Sequence, residues 1–207
     1  MAYSQQTEDW NKRFLQNDTP WKDKNPSQEM ERLFGHFISP GSSVLEVGCG
    51  EGINGIYLSS MGFDYHGIDI SEEALREARF NAKTQNSNAE FFQKDFMKDG
   101  ILEKEYDVIF DKGLMHTFRD AKYRDIFVEK CASSIKEGGF WINISGNKDN
   151  PDNPEDIEKY GYPRLKASEI ISNIEGKFQL HYMARCIYGD KDGNANFLGW
   201  AIVMQKR

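Results

Sequence analysis

The chain has 207 residues, of which 39% are hydrophobic and 29% charged, and its formal net charge is −7. This length suits one well-packed domain, and the composition is typical of a soluble globular protein. Because no block of Lys and Arg is present to neutralise phosphates, nucleic acid is not an expected partner. No apolar run is long enough to span a membrane, and the first ten residues hold no apolar signal region, so we expect a cytoplasmic protein.

The cysteines predict neither disulfides nor a metal site. Cys49, Cys131 and Cys186 are odd in number and far apart in the sequence. Their spacing matches neither a disulfide framework nor a set of metal ligands. We expect three buried free thiols in a reducing compartment, and no bound metal.

The first predicted elements are a helical arm and a strand, helix, strand unit. The arm covers about residues 6–37 and is interrupted at Pro20-Trp21 and at Asn25-Ser27. "SVLEV" reads as the first strand, residues 52–61 as a helix and "DYHGID" as the second strand. Ser71 then suits the N-cap of the next helix, because Glu72 and Glu73 follow it.

Strand and helix continue to alternate through the middle of the chain. "AEFFQKD" predicts a third strand ending near Asp95, and "YDVIFD" a fourth ending at Asp111. Helical spacing of apolar residues begins at Tyr123, and Gly138-Gly139 is the expected end of that helix. "FWINIS" predicts the fifth strand.

The C-terminal part predicts a loop, a helix and a hairpin. The polar loop 146–166 is long enough to serve as an active-site lid. A short helix over 168–175 precedes two long strands joined by "GDKDGNA", which only a hairpin can accommodate. We therefore predict one α/β domain with a doubly wound, seven-stranded, mostly parallel sheet whose last strand is antiparallel. In this prediction residues 1–40 form a helical arm and 41–207 a Rossmann-like core.

The glycine-rich loop after the first strand indicates the kind of ligand. Its glycines, Gly48, Gly50 and Gly52, follow the pattern G-x-G-x-G, whereas a dinucleotide site has G-x-G-x-x-G. Glu46 stands just before the first glycine. A carboxylate there would repel a pyrophosphate but would attract an ammonium group, so the loop favours a nucleoside with an amino-acid end and disfavours a nicotinamide cofactor.

"VLEVGCGEG" resembles the first motif of class I S-adenosylmethionine (SAM)-dependent methyltransferases. The resemblance implies that the glycine loop lies against the methionine part of SAM. It also implies that Asp69 binds the ribose hydroxyls and that Asp95 approaches the adenine amino group. Ile70 and Phe96 would then flank the adenine ring.

Two further stretches resemble thiopurine S-methyltransferase and its bacterial small-molecule relatives. The arm has the family's aromatic pattern in Trp10, Phe14 and Trp21, which implies an arm that folds over the cofactor. "FDKGLMHTFRDAKYRDIF" matches the segment after the fourth strand, with Lys112 in place of the usual Arg. The resemblance thus adds the three aromatic residues of the arm, Asp111 and Lys112 to the predicted cofactor site.

The implied reaction is an in-line methyl transfer to a small molecule, in which the protein mainly aligns the reactants and excludes water. A thiol or other soft nucleophile needs little help from a base, because a thiol ionises near neutral pH. An oxygen or nitrogen acceptor would need a base, and His116 is the candidate, with capping of the loop after the fourth strand as its second possible role. We expect Asp111 to orient the loop or the cofactor. A cofactor-binding protein without catalysis and a nicotinamide oxidoreductase are the rival functions, and the oligomeric state stays open.

Overall fold

A computed structural model describes residues 10–99, 105–148, 164–188 and 197–207. Seven strands form one sheet in the order β3-β2-β1-β4-β5-β7-β6. The strands are β1 (Ser43–Val47), β2 (Asp64–Asp69), β3 (Glu90–Gln93), β4 (Tyr106–Lys112), β5 (Ile135–Gly146), β6 (Phe178–Tyr188) and β7 (Phe197–Lys206).

Helices alternate with the strands and cover both faces of the sheet. After a helical stretch over residues 10–15 they are α1 (Gln28–Phe37), α2 (Ile53–Ser60), α3 (Glu72–Thr84), α4 (Phe96–Asp99), α5 (Ala121–Ser134) and α6 (Ala167–Ile174), with a 3₁₀ turn at Met115–Thr117. Ser71 is the N-cap of α3, as predicted, and its side chain accepts a hydrogen bond from the backbone N–H of Ala74. In the described part of the chain, no helix combines the length and apolar character needed to cross a membrane.

The pairing of the strands confirms the predicted fold. Neighbouring strands run parallel from β3 to β5, whereas β7 lies antiparallel between β5 and β6. The connection between β6 and β7, residues 189–196, lies outside the described residues, as does most of the predicted lid loop, residues 149–163. Strand order reverses at β1, which lies between β2 and β4, so the carboxyl ends of these three strands border the crevice where such sheets bind ligands.

Two apolar clusters hold the layers together, one on each face. Because side chains alternate along a strand, Val44 joins the first cluster and its neighbour Leu45 the second. The first cluster packs α1, α2 and α3 against the sheet, and the second packs α5 and α6. Strand β1 is buried along its whole length, as expected for a central strand of a parallel sheet.

The predicted end of the long helix is wrong by several residues. Helix α5 ends at Ser134, and Gly138-Gly139 lie inside β5. Ile135 is fully buried and pairs with Tyr106, and the register between β4 and β5 shifts just beyond that pair. A Cβ on Gly139 would lie 2.7 Å from the carbonyl oxygen of Asp107. Gly139 therefore permits close approach at an irregularity of the sheet, Gly138 adopts a left-handed φ of +72°, and neither caps the helix.

Two helical glycines give a matched test of packing. A Cβ on Gly55, in α2, would lie 2.1 Å from the ring of Tyr65, whereas a Cβ on Gly35, in α1, meets nothing within 4 Å. Gly55→Ala should lower the free energy of unfolding by about 1–3 kcal/mol through overpacking. Gly35→Ala should raise it by about 0.5–1 kcal/mol through helix propensity. Urea unfolding measures both, and a stabilised Gly55→Ala protein would contradict the packing of Tyr65.

Candidate cofactor-binding and active site

The glycine loop between β1 and α2 is held in a conformation that only glycine adopts easily. Gly48, Gly50 and Gly52 have φ values of +76°, +53° and +77°, in the left-handed region. The backbone N–H of Gly50 donates to Asp69 Oδ2 at 2.9 Å, and that of Ser71 donates to Oδ1 at 2.9 Å. One carboxylate at the tip of β2 therefore fixes both the loop and the start of α3.

Glu46 lies below this loop and is 2% exposed. Its Oε2 accepts a hydrogen bond from the Tyr65 hydroxyl at 2.5 Å, and its Oε1 accepts one from Asn54 Nδ2 at 3.2 Å. Burial raises the pKa of Glu46 to about 7, although both hydrogen bonds and the nearby Lys112 favour the charged form. The site thus contains a buried carboxyl group whose charge depends on its partners.

The aromatic residues of the arm lie together above the loop. The ring of Trp21 contacts those of Trp10 and Phe14 edge to face, at centroid distances of 5.2 and 6.0 Å. The Cζ atom of Phe14 lies 4.0 Å from the position that a Cβ on Gly50 would occupy. The Arg13 guanidinium lies over Trp21 at 4.2 Å from the ring centroid. These residues place an aromatic cluster against the glycine loop.

Polar contacts tie the arm to three strand tips. Asn11 Oδ1 accepts hydrogen bonds from Ser71 Oγ at 3.0 Å and from the backbone N–H of Glu73 at 3.1 Å. Lys22 Nζ lies 3.3 Å from Glu51 Oε1, in the loop after β1. Lys112, at the end of β4, forms an ion pair with Asp23 of the arm. The arm therefore spans the carboxyl ends of β1, β2 and β4.

The three residues predicted to contact adenine differ in how deeply they are buried. Asp95 caps α4, because its Oδ1 accepts hydrogen bonds from the backbone N–H groups of Met97 and Lys98 at 3.1 and 3.2 Å. Ile70 is half-buried and follows Asp69 at the end of β2. The Phe96 ring packs against Phe127 in the core at 5.4 Å, and its contact with an adenine stays a prediction.

Asp111 belongs to a buried polar network and has no exposed surface. Its oxygens accept hydrogen bonds from Trp141 Nε1 at 2.8 Å, from Asn143 Nδ2 at 2.9 and 3.0 Å, and from the backbone N–H of Met115 at 3.1 Å. Burial raises its pKa to about 6 against these hydrogen bonds. The carboxylate thus orients the segment after β4, and its contact with the cofactor stays a prediction.

His116 connects this segment to the end of β5 and is 6% exposed. Its Nδ1 accepts a hydrogen bond from the backbone N–H of Gly146 at 3.0 Å, so the neutral ring carries its proton on Nε2. Burial, with Lys112 and Arg164 nearby, lowers the pKa of His116 to about 3. The lone pair that a base needs is already engaged. The geometry favours the loop-capping role over the predicted catalytic one.

Sequence reasoning missed two residues that complete the site, Tyr65 and Asn54. Both hold Glu46, and Asn54 Oδ1 also accepts a hydrogen bond from the backbone N–H of Ser27, the N-cap of α1. Parallel β1 and β2 place Tyr65 beside Val44, so the strand pattern alone brings its ring near Glu46. No group of three or more His, Cys, Asp or Glu side chains in the described ranges is arranged to hold a metal ion.

Comparisons with known proteins agree on the class of fold. Residues 44–139 match a family described as a methyltransferase domain. An uncharacterized methyltransferase of Schizosaccharomyces pombe is 33% identical over 81 residues, which cover 39% of this chain and 56% of that protein. A ribosomal protein L11 methyltransferase of Neisseria meningitidis is 34% identical over 103 residues, which cover 49% of this chain and 32% of that protein. The chain thus spans about half or less of the length of these curated relatives.

Solved structures match over nearly the whole chain. One, described by the conversion of a disulfide bond into a thioacetal group during echinomycin biosynthesis, has a TM-score of 0.80 at 16% identity and covers 97% of this chain and 92% of its own. The N-methyltransferase NodS of Bradyrhizobium japonicum, in complex with S-adenosyl-L-homocysteine, has a TM-score of 0.74 at 17% identity. The match covers 97% of this chain and 98% of NodS. At such identities the likeness establishes the fold. The match to a methyltransferase domain covers residues 44–139, and the likeness to solved structures extends the same fold over nearly the whole chain.

Proposed function

We propose that the protein transfers a methyl group from SAM to a small-molecule acceptor, and that the acceptor atom is a thiol sulfur or another soft nucleophile. The observation that carries the proposal is the hydrogen bond from the backbone N–H of Gly50 to the Asp69 carboxylate, at the point where strand order reverses. The match of residues 44–139 to a methyltransferase domain supports it. The likeness to thiopurine S-methyltransferase remains part of this proposal, as does a cytoplasmic location.

The residues at the site fit SAM in their chemistry. A side chain on Gly52 would meet the Phe91 ring at 2.6 Å, so the tight backbone of the loop depends on glycine. Asp69 would hold the ribose hydroxyls, Asp95 the adenine amino group, and Glu46 would face the ammonium of the amino-acid end. When bound, SAM supplies a methyl group made electrophilic by its sulfonium centre.

The arm would contribute alignment and exclusion of water. Trp10, Phe14 and Trp21 already lie together beside the loop, and aromatic rings near a sulfonium attract its positive charge. Closure over the reactants would hold them in line and keep water out. In this proposal residues 1–40 are the arm of a single domain, and the part of the arm before α1 closes as the lid. Lys112 acts through its ion pair with Asp23.

The choice of acceptor rests on His116. An oxygen or nitrogen acceptor needs a base, but the Nδ1 lone pair of His116 accepts a backbone hydrogen bond. A thiolate needs no such group, because thiols ionise at a pH of about 8.5. The neighbour described by thioacetal formation involves sulfur chemistry, whereas NodS is an N-methyltransferase. An O- or N-methyltransferase is thus the second candidate, and a cofactor-binding protein without catalysis is less favoured.

Removal of the Asp69 carboxylate tests the cofactor site. Asp69→Ala should weaken binding of S-adenosylhomocysteine at least about tenfold, or about 1.4 kcal/mol, through loss of charge-assisted hydrogen bonds. Isothermal calorimetry measures the affinity. Asp64→Ala, at the opposite end of β2, is the matched control and should bind normally. Equal affinity of both variants would exclude Asp69 from the site.

A panel of acceptors tests the proposed chemistry. Transfer of a labelled methyl group should occur to thiols, should rise with pH toward the pKa of each thiol, and should persist within about threefold in His116→Gln, because no base is required. Rates with thiols, amines and phenols are compared for the wild type and the variant. Transfer only to phenols or amines, abolished by His116→Gln, would establish the O- or N-methyltransferase.

The low pKa of His116 predicts a pH-dependent contribution to stability. The pKa is about 3 in the folded protein, against 6.5 for an unperturbed histidine. Between these values the unfolded chain binds more protons, so the stabilisation from a neutral His116 is complete above pH 6.5 and falls by about 1.4 kcal/mol per unit as the pH drops. The difference in unfolding free energy between the wild type and His116→Gln isolates this effect, since Glu46 and Asp111 are common to both.

Nuclear magnetic resonance gives an independent measurement of the same group. The ring resonances of His116, assigned by their absence in His116→Gln, should not titrate between pH 5 and 8. A titration midpoint near 6.5 would contradict the buried, neutral imidazole and would restore His116 as a candidate base.

A further inference from the structure

Two glycines create a slot for one tyrosine ring. A Cβ on Gly55, in α2, would lie 2.1 Å from the Tyr65 ring, and a Cβ on Gly67, in β2, would lie 2.8 Å from the Tyr65 hydroxyl. Tyr65 is 3% exposed and belongs to the core cluster that packs α2 against the sheet. The ring therefore passes between helix and strand, and its hydroxyl emerges beneath the glycine loop.

The hydroxyl ends at the Glu46 carboxylate, 2.5 Å from Oε2. This distance is typical of a hydrogen bond between a hydroxyl and an ionised carboxylate. Burial, reinforced by the Glu46 charge, raises the pKa of Tyr65 well above its usual value, so the tyrosine stays a donor. Asn54 donates to the other carboxylate oxygen at 3.2 Å. Two fixed donors thus hold the carboxyl group in one orientation.

We propose that Tyr65 is a positioning residue for the cofactor, whose hydroxyl stabilises the ionised form of the Glu46 carboxylate and directs it at the ammonium group of the amino-acid end of SAM. This inference rests on the proposed function. A carboxyl group buried without such donors would take up a proton and become neutral. A neutral Glu46 would no longer attract an ammonium group, whereas an ionised one acts on it across a weakly screened interior.

The other groups around Glu46 are already committed elsewhere. Lys112 favours its charge but is paired with Asp23, and the Asp69 carboxylate, which opposes it, is held by Gly50 and Ser71. Cys49, at the same loop, is a buried thiol whose pKa is raised well above its ordinary value by burial, so it is neutral. The hydroxyl of Tyr65 and the amide of Asn54 are therefore the donors that set the state of Glu46.

The same hydrogen bonds connect the carboxylate to the arm. Asn54 uses its oxygen to accept from the backbone N–H of Ser27 at 3.0 Å, and Ser27 is the N-cap of α1. The chain of contacts runs from Tyr65 through Glu46 and Asn54 to Ser27. The orientation of Glu46 is therefore linked to the start of a helix that is packed in the core.

Binding of two nucleosides to Tyr65→Phe tests the proposal. S-adenosylhomocysteine carries the amino-acid end, and 5′-methylthioadenosine has the same nucleoside without it. Tyr65→Phe keeps the ring in its slot and removes the hydroxyl. Calorimetry should show about a fivefold or greater loss of affinity for S-adenosylhomocysteine, as expected from one buried hydrogen bond, and unchanged affinity for 5′-methylthioadenosine. Equal losses for both ligands, or no loss for either, would overturn the proposal.

A double-mutant cycle separates positioning from a general effect on the fold. Tyr65→Phe introduced into Glu46→Gln should cause no further loss of S-adenosylhomocysteine affinity, because the charge it serves is gone. A further loss above about threefold would overturn the proposal. This comparison also applies if Tyr65→Phe alone fails to fold, since Glu46→Gln leaves no buried charge short of a donor. Tyr57→Phe, which removes a hydroxyl from α2, is the matched control and should bind both ligands normally.

The wild-type protein distinguishes this inference from the proposed function. If the wild type binds neither nucleoside, the methyltransferase proposal fails and this inference fails with it. If the wild type binds S-adenosylhomocysteine and Tyr65→Phe binds it equally well, only the role of Tyr65 is overturned.

Discussion

The hydrogen bonds that Asp69 accepts from Gly50 and Ser71 fix the geometry on which the rest of the site depends. The carboxylate lies at the end of β2, beside the strand that carries the glycine loop, so it joins two neighbouring elements at the edge where the strand order reverses. Burial raises the pKa of Asp69, and the same two N–H groups oppose that effect. In the proposed complex the Asp69 carboxylate, stabilised by the loop, would also accept hydrogen bonds from the hydroxyl groups of a ribose.

The arm is attached to this edge by contacts of unequal strength. Its ion pair between Asp23 and Lys112 is largely buried, with side-chain exposures of 17% and 9%, whereas Lys22 is 37% exposed. Exposed pairs contribute little to stability, because water and salt screen them. The apolar clusters of the core do not include Trp10, Phe14 or Trp21. The part of the arm before α1 therefore lies outside the apolar core, which suits a lid, whereas α1 itself is packed into the first cluster.

The sequence predicted local features well where one residue has one physical role. Ser71 caps α3, Asp69 ends β2, and the hairpin at the C-terminus is antiparallel, because each follows from backbone geometry and spacing. It failed where the role depends on a distant partner. Gly138-Gly139 resemble a helix end but lie inside β5, where the missing side chain of Gly139 permits close approach to Asp107 in β4. For His116 the sequence left a catalytic and a loop-capping role open, and only the placement of the Gly146 backbone beside its Nδ1 favours loop capping.

The buried polar groups after β4 are engaged in hydrogen bonds that fix this segment of the chain. Trp141, Asn143 and Met115 donate hydrogen bonds to Asp111 and so fix the segment after β4. His116 uses its Nδ1 lone pair to fix the same segment to β5. The side chains of Asp111 and His116, engaged in these hydrogen bonds, hold the segment after β4 in place and are poorly placed to accept a proton from a substrate. This arrangement agrees with the proposed reaction, in which the protein aligns the reactants and a thiol acceptor needs no base from these groups.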